Sequence, residues 1–183
     1  MPGSYLANID PEQFERVAAD CLPDAMSGDE FVAGYGGTSD AVTAIERGRR
    51  YQVRQPTAHP VYERGRAEAF RRLLPETGDA VRRQLGMLMY ESHASYGRCG
   101  LGSPGTDRLV ELVRAAGPAA GLYGARITGG GSGGTVAVLG RRDAAPAIAS
   151  VAASYQAQTG HQPYVFAGSS PGVRAFGTRT ITL

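Results

Sequence analysis

Apolar positions in the first two-thirds of the chain recur every three to four residues, as they do on one face of an amphipathic helix. The segments with this spacing are bounded by Asp, Ser, Gly or Pro, which are the residues that begin and end helices. Asp10 is the expected N-cap of the first helix, and Ser27 with Glu30 forms the expected capping box of the second. The pattern predicts helices at Pro11–Leu22, Ser27–Tyr35, Val61–Leu74, Gly78–Tyr96 and Thr106–Ala116.

The spacing changes at Gly121, and the apolar positions of Leu122–Thr128 alternate, which is typical of a strand with one buried face. A short strand is also expected at Tyr51–Val53, within an irregular stretch over residues 37–60. The final part is predicted to hold strands at Leu122–Thr128 and Thr135–Leu139, a helix over Asp143–Thr159 that ends at Gly160, and strands at Tyr164–Ala167 and Thr178–Leu183 around a turn at Ser169–Gly172.

Helices followed by a strand-rich half favour the α+β class, with a small, mostly antiparallel sheet and helices packed on one of its faces. We expect a single domain over residues 1–183. Within it, residues 1–60 are predicted to be irregular with short helices, and residues 61–116 to be helical. Residues 117–183 are predicted to run strand, glycine loop, strand, helix, strand and strand.

Six consecutive glycine or serine residues, Gly129–Gly134, separate the two strands of the predicted hairpin. One interpretation is a flexible linker, but both flanks are short β-like runs, which places the loop inside a sheet-forming unit. Residues without Cβ atoms allow backbone N–H groups to converge on a phosphate, and they equally allow two backbones to pack closely. The sequence leaves both roles open. A Walker motif is excluded, because no Gly-Lys-Ser/Thr follows.

Charge and composition exclude several classes of protein. All 19 cationic residues are arginine, so a Schiff-base or phosphate-loop lysine is excluded for this chain acting alone. The net charge of +2 argues against a nucleic-acid-binding protein. Residues 1–96 hold 11 arginines and 14 acids (−3), whereas residues 97–183 hold 8 arginines and 3 acids (+5). No apolar run approaches the roughly 20 residues of a membrane span, and we expect a cytoplasmic protein without a membrane partner.

Cysteine and histidine show no spacing that indicates catalysis or metal binding. Cys21 and Cys99 are too few for a disulfide framework. The histidines at 59, 93 and 161 fit no zinc pattern, so no metal site is expected. For His93, which is flanked by serines on a predicted helix, we expect a hydrogen-bonded structural role.

Two further groups of charged residues are interpreted as structural. Asp107 and Arg108 lie in the first turn of a predicted helix, where an acid is favoured by the helix dipole alone. The tyrosine and the arginines of Tyr62–Arg72 are interpreted as a solvated, charged helix face, and no pattern of base-stacking residues accompanies them.

Several segments, in order along the chain, resemble the GHMP kinases, the family that includes galactokinase and the homoserine and mevalonate kinases. The run Tyr123–Leu139 (YGARITGGGSGGTVAVL) resembles the third conserved motif of that family. Galactokinases commonly have phenylalanine where this chain has Ser132. This difference favours the L-arabinokinase-like subgroup over the galactokinases, and it does not decide which sugar is the substrate. The segments similar to the sugar-kinase branch are Leu85–Tyr96 and Cys99–Val110, and those most similar to its L-arabinokinase subgroup are Tyr5–Phe31, Gln55–Glu63 and Phe166–Gly177.

The resemblance implies the ferredoxin-like C-terminal domain of a sugar 1-kinase that uses ATP and Mg²⁺. In this family the phosphate loop, the Mg²⁺ site and the catalytic aspartate lie in an N-terminal domain, and no segment of this chain matches them. No catalytic residue is therefore assigned here, and neither ATP nor Mg²⁺ is expected to bind tightly to this chain alone. The residues expected near the nucleotide phosphates are Thr128, Gly129, Gly130, Gly131, Ser132, Gly133 and Gly134.

The implied activity is phosphorylation of L-arabinose or galactose at the anomeric hydroxyl, with the N-terminal kinase domain as the partner. This chain alone is expected to be inactive. The alternative is a stand-alone regulatory or interaction module that has kept the fold without catalysis. A complete small enzyme has less support, since no general base with supporting residues can be named. The face that would pack on the N-terminal domain is expected to be uncovered and to promote self-association.

Overall fold

The computed structural model describes residues 5–168, together with Ala175, Gly177, Thr178 and Thr180. The fold is α+β, with helices and small antiparallel sheets, as the sequence predicts. The described elements are α1 (Pro11–Phe14, continued as a π-helical turn over Glu15–Ala19), β1 (Ala25–Ser27), α2 (Gly28–Tyr35), β2 (Arg50–Gln52), α3 (Arg54–Leu73), α4 (Asp79–Arg98), α5 (Pro104–Ala116), β3 (Leu122–Thr128), β4 (Thr135–Gly140) and α6 (Ala145–Thr159).

Two capped helices and a two-stranded antiparallel sheet form the N-terminal part. Asp10 caps α1 with its carboxylate, as predicted. The predicted capping box is present at α2, where Ser27 Oγ accepts a hydrogen bond from the N–H of Glu30 and the Glu30 carboxylate accepts one from the N–H of Ser27. β1 pairs with β2 so that Met26 lies opposite Tyr51, which confirms the short strand expected there.

Helix α3 begins at Arg54 rather than at Val61, so the prediction that the irregular stretch continues to residue 60 is wrong. Pro56 lies in the first turn, where a helix needs no backbone N–H donor. Pro60 lies inside the helix, where its ring removes one hydrogen bond. The sequence pattern predicts that the two prolines close the irregular stretch, whereas in the structure both lie within α3.

Helix α4 contacts β3 at a point where both elements carry glycine. A Cβ atom built on Gly86 of α4 would lie 1.9 Å from the carbonyl oxygen of Tyr123. One built on Gly124 of β3 would lie 2.4 Å from the Cα atom of Gly86. Both distances are far below van der Waals contact, so glycine is required on each side. This contact brings the helix unusually close to the strand.

The hydrophobic core lies between β3, α5 and α6. Leu122 and Ala125 of β3 have no exposed surface, and they pack with Val110 and Val113 of α5 and with Val151 of α6. β4 pairs antiparallel with β3 but alternates between exposed and half-buried positions. β3 is therefore the buried strand of this two-stranded sheet, and β4 is its more exposed neighbour.

The chain that follows α6 departs from the predicted pattern. The helix ends at Gly160 in the left-handed conformation, as predicted. The strand predicted at Tyr164–Ala167 is wrong, since residues 161–168 form neither helix nor strand. A strand needs a paired neighbour for its backbone groups. The predicted neighbour, Thr178–Leu183, lies mostly outside the described residues, and the turn predicted at Ser169–Gly172 lies wholly outside them.

Candidate functional site

The glycine loop, residues Gly129–Gly134, joins β3 to β4 immediately after the last strand pair, Thr128 with Thr135. Five of its six residues have a positive φ, from 60° at Ser132 to 118° at Gly133. Residues with a Cβ atom rarely adopt this conformation. The path of the backbone therefore requires glycine at most positions of the loop.

The loop packs against the turn between α4 and α5. The N–H of Ser132 donates a hydrogen bond to the carbonyl oxygen of Leu101 at 2.6 Å. A Cβ atom on Gly131 would lie 2.7 Å from both the Cβ atom and the carbonyl oxygen of Leu101. On the other side, the Tyr96 hydroxyl donates to the carbonyl oxygen of Gly129 at 3.4 Å. Close backbone packing, one of the two roles left open by the sequence, is thus present in the structure.

The outer side of the loop is mostly bare backbone, with Ser132 as its one side chain. Gly129, Gly130, Ser132 and Gly134 are exposed, and a Cβ atom built on Gly130 meets no atom within 4 Å. A phosphate or another backbone can approach the glycines closely, because they carry no side chain. The proximity of Thr128 and the six loop residues to nucleotide phosphates stays a prediction.

A cluster of charged side chains, the Glu63 cluster, joins α3, α4 and β3; it comprises Glu63, Arg66, Ser92 and Arg126. Glu63 Oε1 accepts hydrogen bonds from Ser92 Oγ at 2.5 Å and from Arg126 Nη1 at 2.9 Å. Glu63 Oε2 accepts one from Arg66 Nε at 2.7 Å. A cleft of about 310 Å³ borders the cluster.

The Glu63 carboxylate is held in its charged form. Burial alone would raise the pKa of Glu63. The hydrogen bonds from Ser92 and Arg66, together with the charges of Arg66 and Arg126, outweigh burial and hold that pKa below its usual value. At neutral pH the cluster therefore contains one carboxylate between two guanidinium groups.

His93 has the hydrogen-bonded position that the sequence predicts. Its Nδ1 accepts a hydrogen bond from the N–H of Ile127 at 3.3 Å, and its Nε2 lies 3.3 Å from Asp107 Oδ1. Burial lowers the pKa of His93 and outweighs the opposing effect of the Asp107 charge. The neighbouring Arg108 donates to Gln158 at 2.6 Å and so connects α5 to α6.

His59 lies at the junction of α3 and α4. Its Nδ1 is 2.8 Å from Ser95 Oγ, and its ring meets the ring of Tyr96 edge-on, with centroids 4.8 Å apart. Burial lowers the pKa of His59, and this effect is larger than the opposing effect of the Glu63 charge. The ring therefore favours its neutral form at neutral pH.

The Glu63 cluster does not follow from the sequence pattern. The solvated face predicted for the tyrosine and arginines of Tyr62–Arg72 is wrong for Arg66, whose side chain is only 16% exposed, and its partner Glu63 is 22% exposed. The spacing does indicate a shared helix face, since Glu63, Arg66 and Phe70 are three and four residues apart. Their partner Arg126 is 63 residues from Glu63, and no local pattern connects the two.

In the described part of the chain, no three His, Cys, Asp or Glu side chains form a group that could hold a metal ion. None of its helices is long and apolar enough to cross a membrane. Both cysteines are free thiols, with Cys21 exposed and Cys99 half-buried.

A family model described as GHMP kinases C terminal matches residues 63–158, from α3 through the glycine loop into α6. The chain belongs to the GHMP kinases. This GHMP kinase domain is 45% identical to an L-arabinokinase of Arabidopsis thaliana over 182 aligned residues. The alignment covers 94% of this chain and 18% of that protein, so the chain spans less than a fifth of that relative. The family model thus assigns residues 63–158 to the C-terminal domain of the GHMP kinases, as the resemblance implies.

Proposed function

We propose that this chain is the C-terminal domain of an ATP-dependent kinase that phosphorylates L-arabinose or galactose at the anomeric hydroxyl. The observation that carries the proposal is the 45% identity to an L-arabinokinase over nearly the whole chain. The name of that relative favours L-arabinose over galactose. The glycine loop lies within the part of the chain that the kinase family model covers.

The proposed contribution of this domain is positioning. Phosphoryl transfer depends on alignment and on stabilisation of charge more than on covalent help from the protein. The exposed backbone of Gly129, Gly130, Ser132 and Gly134 would close the cleft from this side, beside or against the phosphates. ATP and Mg²⁺ would be held mainly by the N-terminal domain, which also supplies the catalytic aspartate. This chain alone is then inactive.

A thermal-shift titration of the 183-residue chain tests this division of labour. A ligand at about 100 times its Kd adds about 2.7 kcal/mol to the stability of a folded protein that binds it. Mg-ATP, with or without L-arabinose or galactose, is expected to give no shift. A clear shift with any of these ligands would mean that the chain holds a complete site, and the proposed division would be wrong.

A segment exchange tests the activity itself. This chain would replace the matched segment of the Arabidopsis L-arabinokinase, and sugar 1-phosphate formation would be measured. The exchanged enzyme is expected to be active, and Gly130→Ala is expected to lower kcat, because the new methyl group stands on the exposed loop surface. Gly65→Ala is the matched control, since a Cβ atom there also meets no atom within 4 Å but lies on α3. Equal activity of both variants would count against a role of this surface in catalysis.

A stand-alone interaction module is the second candidate function. It is favoured by an apolar cavity of about 630 Å³ in the N-terminal part, lined by residues that include Met26, Phe31, Ile45 and Val53. The segment exchange separates the two candidates. An inactive but folded exchange enzyme, together with an active parent enzyme assayed in parallel, would favour the interaction module.

A further inference from the structure

The Glu63 cluster includes Arg126, which lies on the strand that leads into the glycine loop. Arg126, which donates to Glu63 Oε1, precedes the start of the loop by three residues on β3. In the described part of the chain, Nη2 of Arg66 is buried and has no hydrogen-bond partner. Because Glu63 accepts hydrogen bonds from Arg66 and from Arg126, its carboxylate joins a guanidinium group on α3 to one on β3.

Arg126 and Tyr96 connect this carboxylate to the loop backbone. The Arg126 guanidinium lies over the ring of Tyr96, 5.6 Å from its centroid, and its Nε donates to the carbonyl oxygen of Ile127 at 3.1 Å. The hydroxyl of the same Tyr96 donates to the carbonyl oxygen of Gly129, the first residue of the loop. The contacts thus run without a break from Glu63 through Arg126 and Tyr96 to Gly129.

We propose that Glu63 is a positioning residue for the glycine loop, acting through Arg126 and Tyr96. These contacts hold the loop where it begins, and the hydrogen bond from Ser132 to Leu101 holds it in its second half. A loop with glycine at five of six positions has high conformational freedom, so fixing both points reduces the entropy lost when a ligand or another domain binds. The catalytic consequence rests on the proposed function, but the positioning itself does not.

The competing explanation is that Glu63 only stabilises the packing of α3 on α4. The two explanations predict different effects on the glycine loop. Loss of the Glu63 charge changes the loop if Glu63 positions it, and changes only the helices if Glu63 serves their packing. Tyr96→Phe provides an independent approach, because it removes the hydrogen bond to Gly129 and leaves the Glu63 carboxylate intact.

Amide NMR spectra of the full 183-residue chain test the proposal. Glu63→Gln and Tyr96→Phe are both expected to shift the amide signals of Gly129–Gly134 and to lower their order parameters. Two matched controls are expected to leave these signals unchanged. Glu68→Gln alters an exposed ion pair with Arg64 on the same helix as Glu63. Tyr90→Phe alters a tyrosine on the same helix as Tyr96, where its ring packs against Arg114.

The proposal is overturned if Glu63→Gln leaves the signals of Gly129–Gly134 at their wild-type positions while the chain stays folded. If Glu63→Gln prevents folding, Tyr96→Phe still tests the last step from Tyr96 to Gly129, and an unchanged loop in that variant overturns the proposal, because the proposed positioning acts through Tyr96. This readout needs no ligand, so it is independent of the proposed function. In an active exchange enzyme, both variants are expected to lower kcat by about ten-fold to a hundred-fold with little change in the KM for sugar.

Discussion

Gly86 and Gly124 show how strictly a single residue can be specified in this domain. A methyl group at position 86 would overlap the carbonyl oxygen of Tyr123, and neither backbone can move away without separating α4 from β3. We expect Gly86→Ala to lower the free energy of unfolding by about 3 kcal/mol or more, because overpacking against rigid backbone is costly. Urea denaturation followed by circular dichroism measures the difference.

The matched control for this prediction is Gly65→Ala. Gly65 lies within α3, and a Cβ atom there meets nothing within 4 Å, so alanine is expected to stabilise the helix by up to about 1 kcal/mol. Similar effects of the two substitutions would contradict the close approach of α4 to β3.

The two hydrogen-bonded histidines predict how stability depends on pH. Burial lowers the pKa of His59 and of His93 below 6.5, so the unfolded chain binds more protons than the folded one near that pH. The stability contributed by the neutral rings is complete above about pH 6.5 and is lost as the pH falls through the lower folded-state values. The lowered pKa of Glu63 places its titration below this range.

His93→Asn is the informative variant for this pH dependence, because the amide oxygen of asparagine can accept the hydrogen bond from the N–H of Ile127 and does not titrate. Denaturation midpoints measured from about pH 8 to about pH 5.5 are expected to fall less steeply for this variant than for the wild type. Identical slopes, or a wild-type protein that becomes more stable as the pH falls, would rule out this role for His93.

At the level of elements, α5 depends on its N-cap. Ser103 Oγ accepts the N–H of Thr106 at 3.4 Å, and the two hydroxyl groups are 2.8 Å apart. We expect Ser103→Ala to cost about 1 kcal/mol of global stability, since α5 contributes Val110 and Val113 to the core. Ser103→Asp keeps a capping oxygen and is expected to cost much less. Equal losses in both variants, measured by urea denaturation, would contradict the capping role.

Elements with local signals could be predicted from the sequence. The capping box of α2, the end of α6 at Gly160 and the extent of β3 follow from residues within a few positions of each feature. The start of α3 did not follow, because proline usually ends or interrupts a helix, whereas Pro56 lies in the first turn of α3 and Pro60 in its interior. The strand expected at Tyr164–Ala167 failed because pairing, and not alternation, makes a strand.

At the scale of the whole molecule, one part of the candidate site could be predicted from the sequence and the other could not. The glycine loop was evident from composition, and its close approach to Leu101 agrees with one of the two roles that the sequence allows. The Glu63 cluster was not evident from the sequence, because Glu63 is 29 residues from Ser92 and 63 residues from Arg126. Such a cluster exists only once α3, α4 and β3 have packed together.

Self-association is the prediction that belongs to the whole molecule. Tyr164 and Phe166 are 78% and 79% exposed, and the walls of the apolar cavity add further uncovered surface. Light scattering is expected to give an apparent mass that rises above the monomer value of 19.2 kDa with concentration. Phe166→Ser is expected to weaken this rise. A constant mass of 19.2 kDa at every concentration would contradict the prediction.

The contact between Gly86 and Gly124 also limits how this domain can recombine. A crossover between two homologous genes that falls between these positions joins the helix of one parent to the strand of the other. Such a hybrid folds only if both parents have glycine at the inherited positions. Crossovers before Asp79 or after Gly140 keep α4, β3 and β4 together, and viable hybrids are expected to be enriched at those boundaries.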